Sequence, residues 1–386
     1  MTTVVLPLLI FQLTRSALNL SLTVAATVLP YLLFGLLVGA WVDRVNRRRV
    51  MIFTDLGRTL AIASIPVAAA LGPLSVWWIY AVAFLSSTLT ICFDAANFAA
   101  VPSLVSAEDL VRAHGRIQAS YAIARVAGPF CAGVLLAVLT LPQLLWIDAA
   151  SFLVSVLSLL LVRVSFNTRL QEAATPAQPT TIWRDIGEGL GYVLGHPVLR
   201  TITVLLLLIN FILPTASAQL VLFATEVLGV GDAQIGFLYA FASGGAVLAA
   251  LVAPRLSKHL PLGQLALAGV GVEGLAILVA AQLHIYGAVL LLWAMRSGAD
   301  VLFAVSSYSL VQRLVPSPLL GRTITVLRVL SWPTASLGAI LGGWAILQSA
   351  NPILVYSFIG AAAGSIGLLF WWTPVGQGER SAGEGL

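Results

Sequence analysis

Charge is what this sequence has least of. Only 9% of its 386 residues are Asp, Glu, Lys or Arg, against about 25% in an ordinary soluble domain. Lysine is nearly missing: among 20 basic residues, Lys258 is the one lysine. The two cysteines, Cys92 and Cys131, lie in apolar stretches without the spacing of a metal site. They read as small core residues rather than a disulfide or a redox pair. Four histidines (His114, His196, His259 and His284) are scattered at or near polar breaks and make no metal constellation. No Gly-Lys-Ser/Thr loop is present to cradle a nucleotide phosphate, which argues against ATP-driven work by this chain. No serine stands in an arrangement with His and Asp that suggests a hydrolase. The sequence therefore points to no enzyme, no cofactor and no metal.

What fills the chain instead is hydrocarbon. Hydrophobic residues make up 59% of it, and the mean hydropathy is +0.99. Apolar runs of roughly 20 residues recur throughout, the length a helix needs to cross a bilayer. Soluble enzyme, nucleic-acid binder, disulfide scaffold and disordered chain are all excluded. The net charge of +5 is then the basic excess of cytoplasmic loops, not a nucleic-acid surface.

Polar breaks divide the apolar runs into twelve segments: 2–14, 18–42, 50–71, 75–99, 116–139, 144–162, 199–223, 234–253, 262–282, 285–310, 323–347 and 352–372. The first reaches only about 20 Å as a helix, against roughly 30 Å of hydrocarbon. It has neither the basic start nor the cleavage site of a signal peptide. The expectation is a first helix truncated at its N-terminus, with about 20–30 residues belonging before Met1.

Basic residues orient the segments. Fifteen fall in alternate loops and the tail, from Arg44, Arg47, Arg48 and Arg49 to Arg380, and only Arg15 falls on the other side. The positive-inside rule makes the loops after segments 2, 4, 6, 8 and 10 cytoplasmic, together with the C-terminus. The expected organisation is a six-helix half at 1–163, a cytoplasmic linker at 164–198, a second six-helix half at 199–373 and a tail at 374–386. Within the linker, 167–181 is rich in Pro, Thr and Ala, and 182–195 has the apolar spacing of an amphipathic helix lying on the membrane face.

The two halves are related. An offset of 210 residues places Val101, Leu104 and Val105 on Val311, Leu314 and Val315. It also pairs Leu110 with Leu320, Arg112 with Arg322, Gly128 with Gly338, and Gly133 with Gly343. Related six-helix halves build secondary transporters, whose substrate sites lie near the bilayer midplane. The stretch Gly39-Ala-Trp-Val-Asp43-Arg44-Val-Asn-Arg47-Arg48 resembles motif A of the major facilitator superfamily. Phe93-Asp94-Ala-Ala-Asn97, and Gly128-Pro129-Phe-Cys-Ala-Gly133, are similar to its drug- and siderophore-exporting branch, which contains macrolide and enterobactin exporters. Asn46 stands where the family usually has Gly, Trp41 replaces a small aliphatic, and Ala132 replaces the first Gly of a pair.

The resemblance implies an all-α integral membrane protein of twelve transmembrane helices, in which helices 1, 4, 7 and 10 line a central cavity. It also implies a gating latch formed by Gly39, Asp43, Arg44, Arg47 and Arg48, with Gly128, Pro129 and Gly133 serving packing or a bend in helix 5. The alternative for the arginines is that they only set topology.

Ionisable groups inside membrane spans are costly and mark function by default. Asp94, expected to pair with Arg125 on a neighbouring helix, is the preferred proton-coupling acid. Arg296 and Asp300 stand one turn apart, a geometry for a local ion pair, and Glu273 has no partner visible in the sequence. Asn210 and Gln219 are expected as neutral polar contacts on the substrate pathway. Asp55 and Arg58 read as a structural pair, and Asp148 as a solvated group at the outer end of helix 6. The alternative for the whole set is buried pairs that fix helix register.

The expected function is a monomeric, proton-coupled exporter of a hydrophobic or amphipathic small molecule, in the inner (cytoplasmic) membrane of a bacterium. Its partners would be that substrate, protons and membrane lipids, with no nucleic acid. Uptake, lipid flipping, or a transport-inactive scaffold or sensor remain as alternatives.

Overall fold

A computed structural model describes residues 1–42, 45–105, 109–162, 166 and 182–377, and these are almost entirely helical, with no strand among them. Hydrocarbon offers no hydrogen-bond partners, so an apolar segment must satisfy its backbone internally, and the helix does so. The first helices are α1 (Thr2–Thr14), α2 (Ala17–Val42), α3 (Arg47–Leu71), α4 (Val76–Leu104), α5 (Leu110–Leu135) and α6 (Leu141–Leu161). A short helix, α7 (Ile182–Gly195), occupies the predicted amphipathic stretch. Then come α8 (Pro197–Ile212), α9 (Pro214–Ala218), α10 (Leu220–Glu226), α11 (Asp232–His259), α12 (Leu262–Gln282), α13 (Tyr286–Leu314), α14 (Ser317–Ser349) and α15 (Pro352–Phe370).

All twelve predicted segments fall on helix, but not all are full spans. Among the described residues, nine helices are long and apolar enough to cross a bilayer, while Thr2–Thr14 and Ala119–Leu135 are shorter apolar helices. The predicted seventh segment is broken into α8, α9 and α10. Pro214 begins α9 and has no N–H to continue the ladder, and Gln219 leaves helical geometry at φ −96°, ψ 8°. Elsewhere helices outrun their apolar segments on the side rich in arginine. α4 ends at Leu104 instead of 99, α11 at His259 instead of 253, and α13 at Leu314 instead of 310. Backbone hydrogen bonding continues past the hydrocarbon edge, whereas hydropathy stops at the first charges.

Local signals set several ends. The Asn46 side chain caps α3 by accepting from the Arg49 amide at 3.0 Å, and Asn351 caps α15 at the Leu354 amide at 3.1 Å. Gln143 reaches back to the Thr140 amide at 2.9 Å and starts α6.

The chain forms two compact units: Met1–Arg15 with Leu22–Pro179, and Ser16–Ser21 with Thr180–Leu386. In the first, α3 packs on α4 and α6, and α1 touches α4, α5 and α6. Val38, Val42, Val50, Met51, Ile91, Ala96 and Ala100 form a buried cluster there. In the second, α12 packs on α13 and α15, α11 on α13, and α14 on α7 and α8. The α12–α15 crossing runs through backbone. A Cβ on Gly274 would lie 2.7 Å from the Gly360 carbonyl oxygen, and one on Gly360 equally close to that of Gly274. A Cβ on Gly245 of α11 would likewise collide with the Ala294 carbonyl of α13. Small residues let helices approach where lipid supplies no hydrophobic force between them.

Candidate functional site

Polar chemistry inside the spans gathers at two places, one in each unit. In the first unit, Asp55 and Arg58 lie on one face of α3, three residues apart, and form a buried ion pair. Ser155 of α6 donates to the other Asp55 oxygen at 2.6 Å. The Arg58 guanidinium is sandwiched between two rings, 4.6 Å from Phe93 of α4 and 4.7 Å from Phe152 of α6. This geometry lets a cation sit in an apolar bundle, through one carboxylate and two π faces.

Asp94 follows Phe93 on α4 but is exposed. The Tyr121 hydroxyl of α5 donates to it at 3.3 Å, and Asn97 donates to Tyr121 at 2.9 Å. The expected Asp94–Arg125 pair is not what the structure contains. The cation whose charge acts on Asp94 is Arg58, while Arg125 is exposed one turn beyond Tyr121 on α5. Tyr31 of α2 also lies within reach of the Asp94 and Arg58 charges. Sequence reasoning missed both tyrosines, because a Tyr in an apolar helix has no pattern separating a polar role from an interfacial one.

In the second unit, Glu273 of α12 meets Arg296 of α13 at 2.9 Å. Glu273 is fully buried and Arg296 is 8% exposed. The contact is an ion pair without hydrogen-bond alignment, since both Glu273 oxygens and the Arg296 Nε have no hydrogen-bond partner. Trp293 lies under the guanidinium at 5.0 Å. Two expectations are corrected here: Glu273 has a partner, and Arg296 pairs with it rather than with Asp300. Asp300 is exposed one turn further along α13, while the Arg296 guanidinium meets Glu273 in the α12 contact.

Gln219 does not line an open path either. It is fully buried at the α9–α10 break and donates to the Ala17 carbonyl at 2.7 Å and to Ser21 Oγ at 2.8 Å. Ser21 in turn donates to the Ala339 carbonyl at 2.6 Å. Thr215 caps the Gly338 carbonyl at 2.9 Å, and Tyr356 the Ala216 carbonyl at 2.8 Å. These bonds tie the broken segment to Ala17 and Ser21 of α2, to Gly338 of α14 and to Tyr356 of α15. Asn210 donates to Leu206 of its own helix at 2.9 Å. Asp148 is buried, not solvated, and accepts from the Thr2 amide at 3.0 Å.

The profile of the Major Facilitator Superfamily matches residues 1–339. This chain belongs to that superfamily. Among its relatives, the multidrug efflux pump Tap of Mycolicibacterium fortuitum is 28% identical over 352 residues, covering 89% of this chain and 84% of Tap. Macrolide efflux protein A of Streptococcus pyogenes is 30% identical over 185 residues, 47% of this chain and 45% of that protein. The fold agrees with a crystal structure of a mutant of the nucleoside transporter NupG at a TM-score of 0.74, with 12% identity, 96% of this chain and 94% of that one covered. The chain is therefore a membrane transporter of the major facilitator fold acting on a small molecule.

The superfamily's motif A can now be placed. Gly39 lies in α2, whereas Asp43 and Arg44 fall outside the described residues. Arg47 donates to the Ala99 carbonyl of α4 at 2.8 Å. Arg48 donates to the Leu159 and Leu160 carbonyls of α6 at 3.0 and 2.9 Å, which belong to the last turn and lack helical partners. These two arginines tie the start of α3 to two neighbouring helices. In α5, Gly128, Pro129 and Gly133 lie within one uninterrupted helix.

Proposed function

We propose that this transporter exports a hydrophobic or amphipathic small molecule, such as a drug, antibiotic or siderophore, by alternating access coupled to proton entry. The similarity to a multidrug efflux pump along nearly the whole chain carries this reading. The protein acts as a monomer in the cytoplasmic membrane, with its C-terminus and basic loops on the cytoplasmic side, as the positive-inside rule requires.

Asp94 is the coupling acid in this reading. Its carboxylate is exposed, so a proton can reach it, and its hydrogen-bond donor is the neutral Tyr121. Protonation removes the charge that acts on Arg58 and weakens the hold on Tyr121. Glu273, Arg296 and Asp300 supply a second charged group, of which only Asp300 is exposed.

Purified protein in proteoliposomes with an imposed pH gradient tests the proposal, using ethidium and a macrolide as probes. Export coupled to protons moves either probe against the proton flow, and an ionophore that collapses the gradient stops it. Probe movement in the same direction as protons, or none with folded protein, contradicts the reading.

A further inference from the structure

Three successive arginines open α3, and they are used differently. The Arg47 and Arg48 guanidinium groups bind backbone carbonyls. Arg49 is exposed, and its guanidinium has no ion-pair or hydrogen-bond partner among the described residues. It lines a groove of about 510 Å³ whose other walls include Trp41 of α2, Asn46, Phe53 of α3, and Leu89 and Cys92 of α4.

The groove is amphipathic along its length. Asn46 and Arg49 occupy the start of α3, and Phe53, one turn further along, is 69% exposed beside Leu89 and Cys92. Trp41 is 49% exposed at the end of α2, and indole rings favour the headgroup level of a bilayer. The volume falls in the range of ligand sites that bury most of a small molecule. An exposed cation at one end of an apolar channel, at the edge of membrane-spanning helices, is complementary to one class of molecule.

We infer that this groove binds an anionic phospholipid, with the phosphate on Arg49, an acyl chain along Phe53 and Leu89, and Trp41 beside the headgroup. The charge complementarity is to a lipid rather than to a free anion, because most of the groove wall is apolar. The site does not depend on the direction of transport or on proton coupling.

Native mass spectrometry of the delipidated full chain tests it, with phosphatidylglycerol and phosphatidylcholine of identical acyl chains as probes. The expected result is a preference for phosphatidylglycerol that falls about fivefold in Arg49→Gln and is largely kept in Arg49→Lys. Phe53→Ala should weaken both lipids together. Inorganic phosphate should leave the lipid adducts in place. Equal binding of both lipids, an unchanged preference in Arg49→Gln, or displacement by phosphate alone overturns the assignment. Displacement of phosphatidylglycerol by ethidium also overturns it, since the groove would then be a substrate entrance. Thermal unfolding of each variant in detergent, matched to the unaltered chain, excludes misfolding as the cause.

Discussion

Glu273 and Arg296 link α12 and α13 through a buried ion pair at 2.9 Å. Each charge depends on the other, because neither Glu273 oxygen has a hydrogen-bond partner. Removing one partner leaves the other buried and uncompensated, at about 3–5 kcal/mol. Glu273→Gln is therefore expected to lower the thermal midpoint of the purified protein strongly. Glu273→Gln combined with Arg296→Met should recover much of the loss, as apolar replacement of a whole pair often does. A single variant as stable as the parent would show that the pair bears no structural load.

Helix contact through bare backbone gives a second expectation. Gly274→Ala places a methyl 2.5 Å from the Gly364 amide nitrogen and should cost about 1–3 kcal/mol as overpacking. Gly244→Ala meets nothing within 4 Å and should be neutral by comparison. Fluorescence-detected size exclusion after a heat step ranks the two variants, and equal survival refutes the crossing geometry.

Proton coupling through Asp94 makes a third. In proteoliposomes, Asp94→Asn should abolish accumulation driven by a pH gradient yet keep downhill exchange. Tyr121→Phe removes a hydroxyl that donates to Asp94 and should change the pH dependence of transport while leaving the fold intact. Full gradient-driven accumulation by Asp94→Asn removes this residue from the coupling role.

Motif A supplies the fourth. Asp43→Asn is expected to slow transport markedly while membrane expression stays near that of the parent, if its charge acts in switching between states. A transport rate equal to the parent's would contradict the latch. Arg48→Ala should act differently, by destabilising the protein, because it strips two donors from the last turn of α6.

The membrane class, the helical segments and the family were legible in the residues, and for a physical reason. Hydrocarbon imposes the same demand on every span, about 20 apolar residues with the backbone satisfied internally, so composition alone reveals it. Motif A was readable because its residues are contiguous. Asp55 and Arg58 were readable as a pair because three residues along a helix is a fixed distance.

Partners on different helices were not readable. Arg296 had two acids within plausible reach, Asp300 on its own helix and Glu273 on another, and spacing favoured the wrong one. Packing of α12 against α13 decided it, by burying Glu273 beside Arg296. Asp94 was assigned Arg125 by charge, whereas Tyr121, one turn earlier on the same face of α5, is the residue that meets it. The break at Gln219 lay hidden inside an apolar run, because hydropathy records the cost of a side chain in lipid and not the path of the backbone. Sequence by itself determined where this protein resides and what its helices are. Tertiary structure decided which charges meet, because helix rotation and crossing depth are set by close packing of small residues, which leaves no periodic mark.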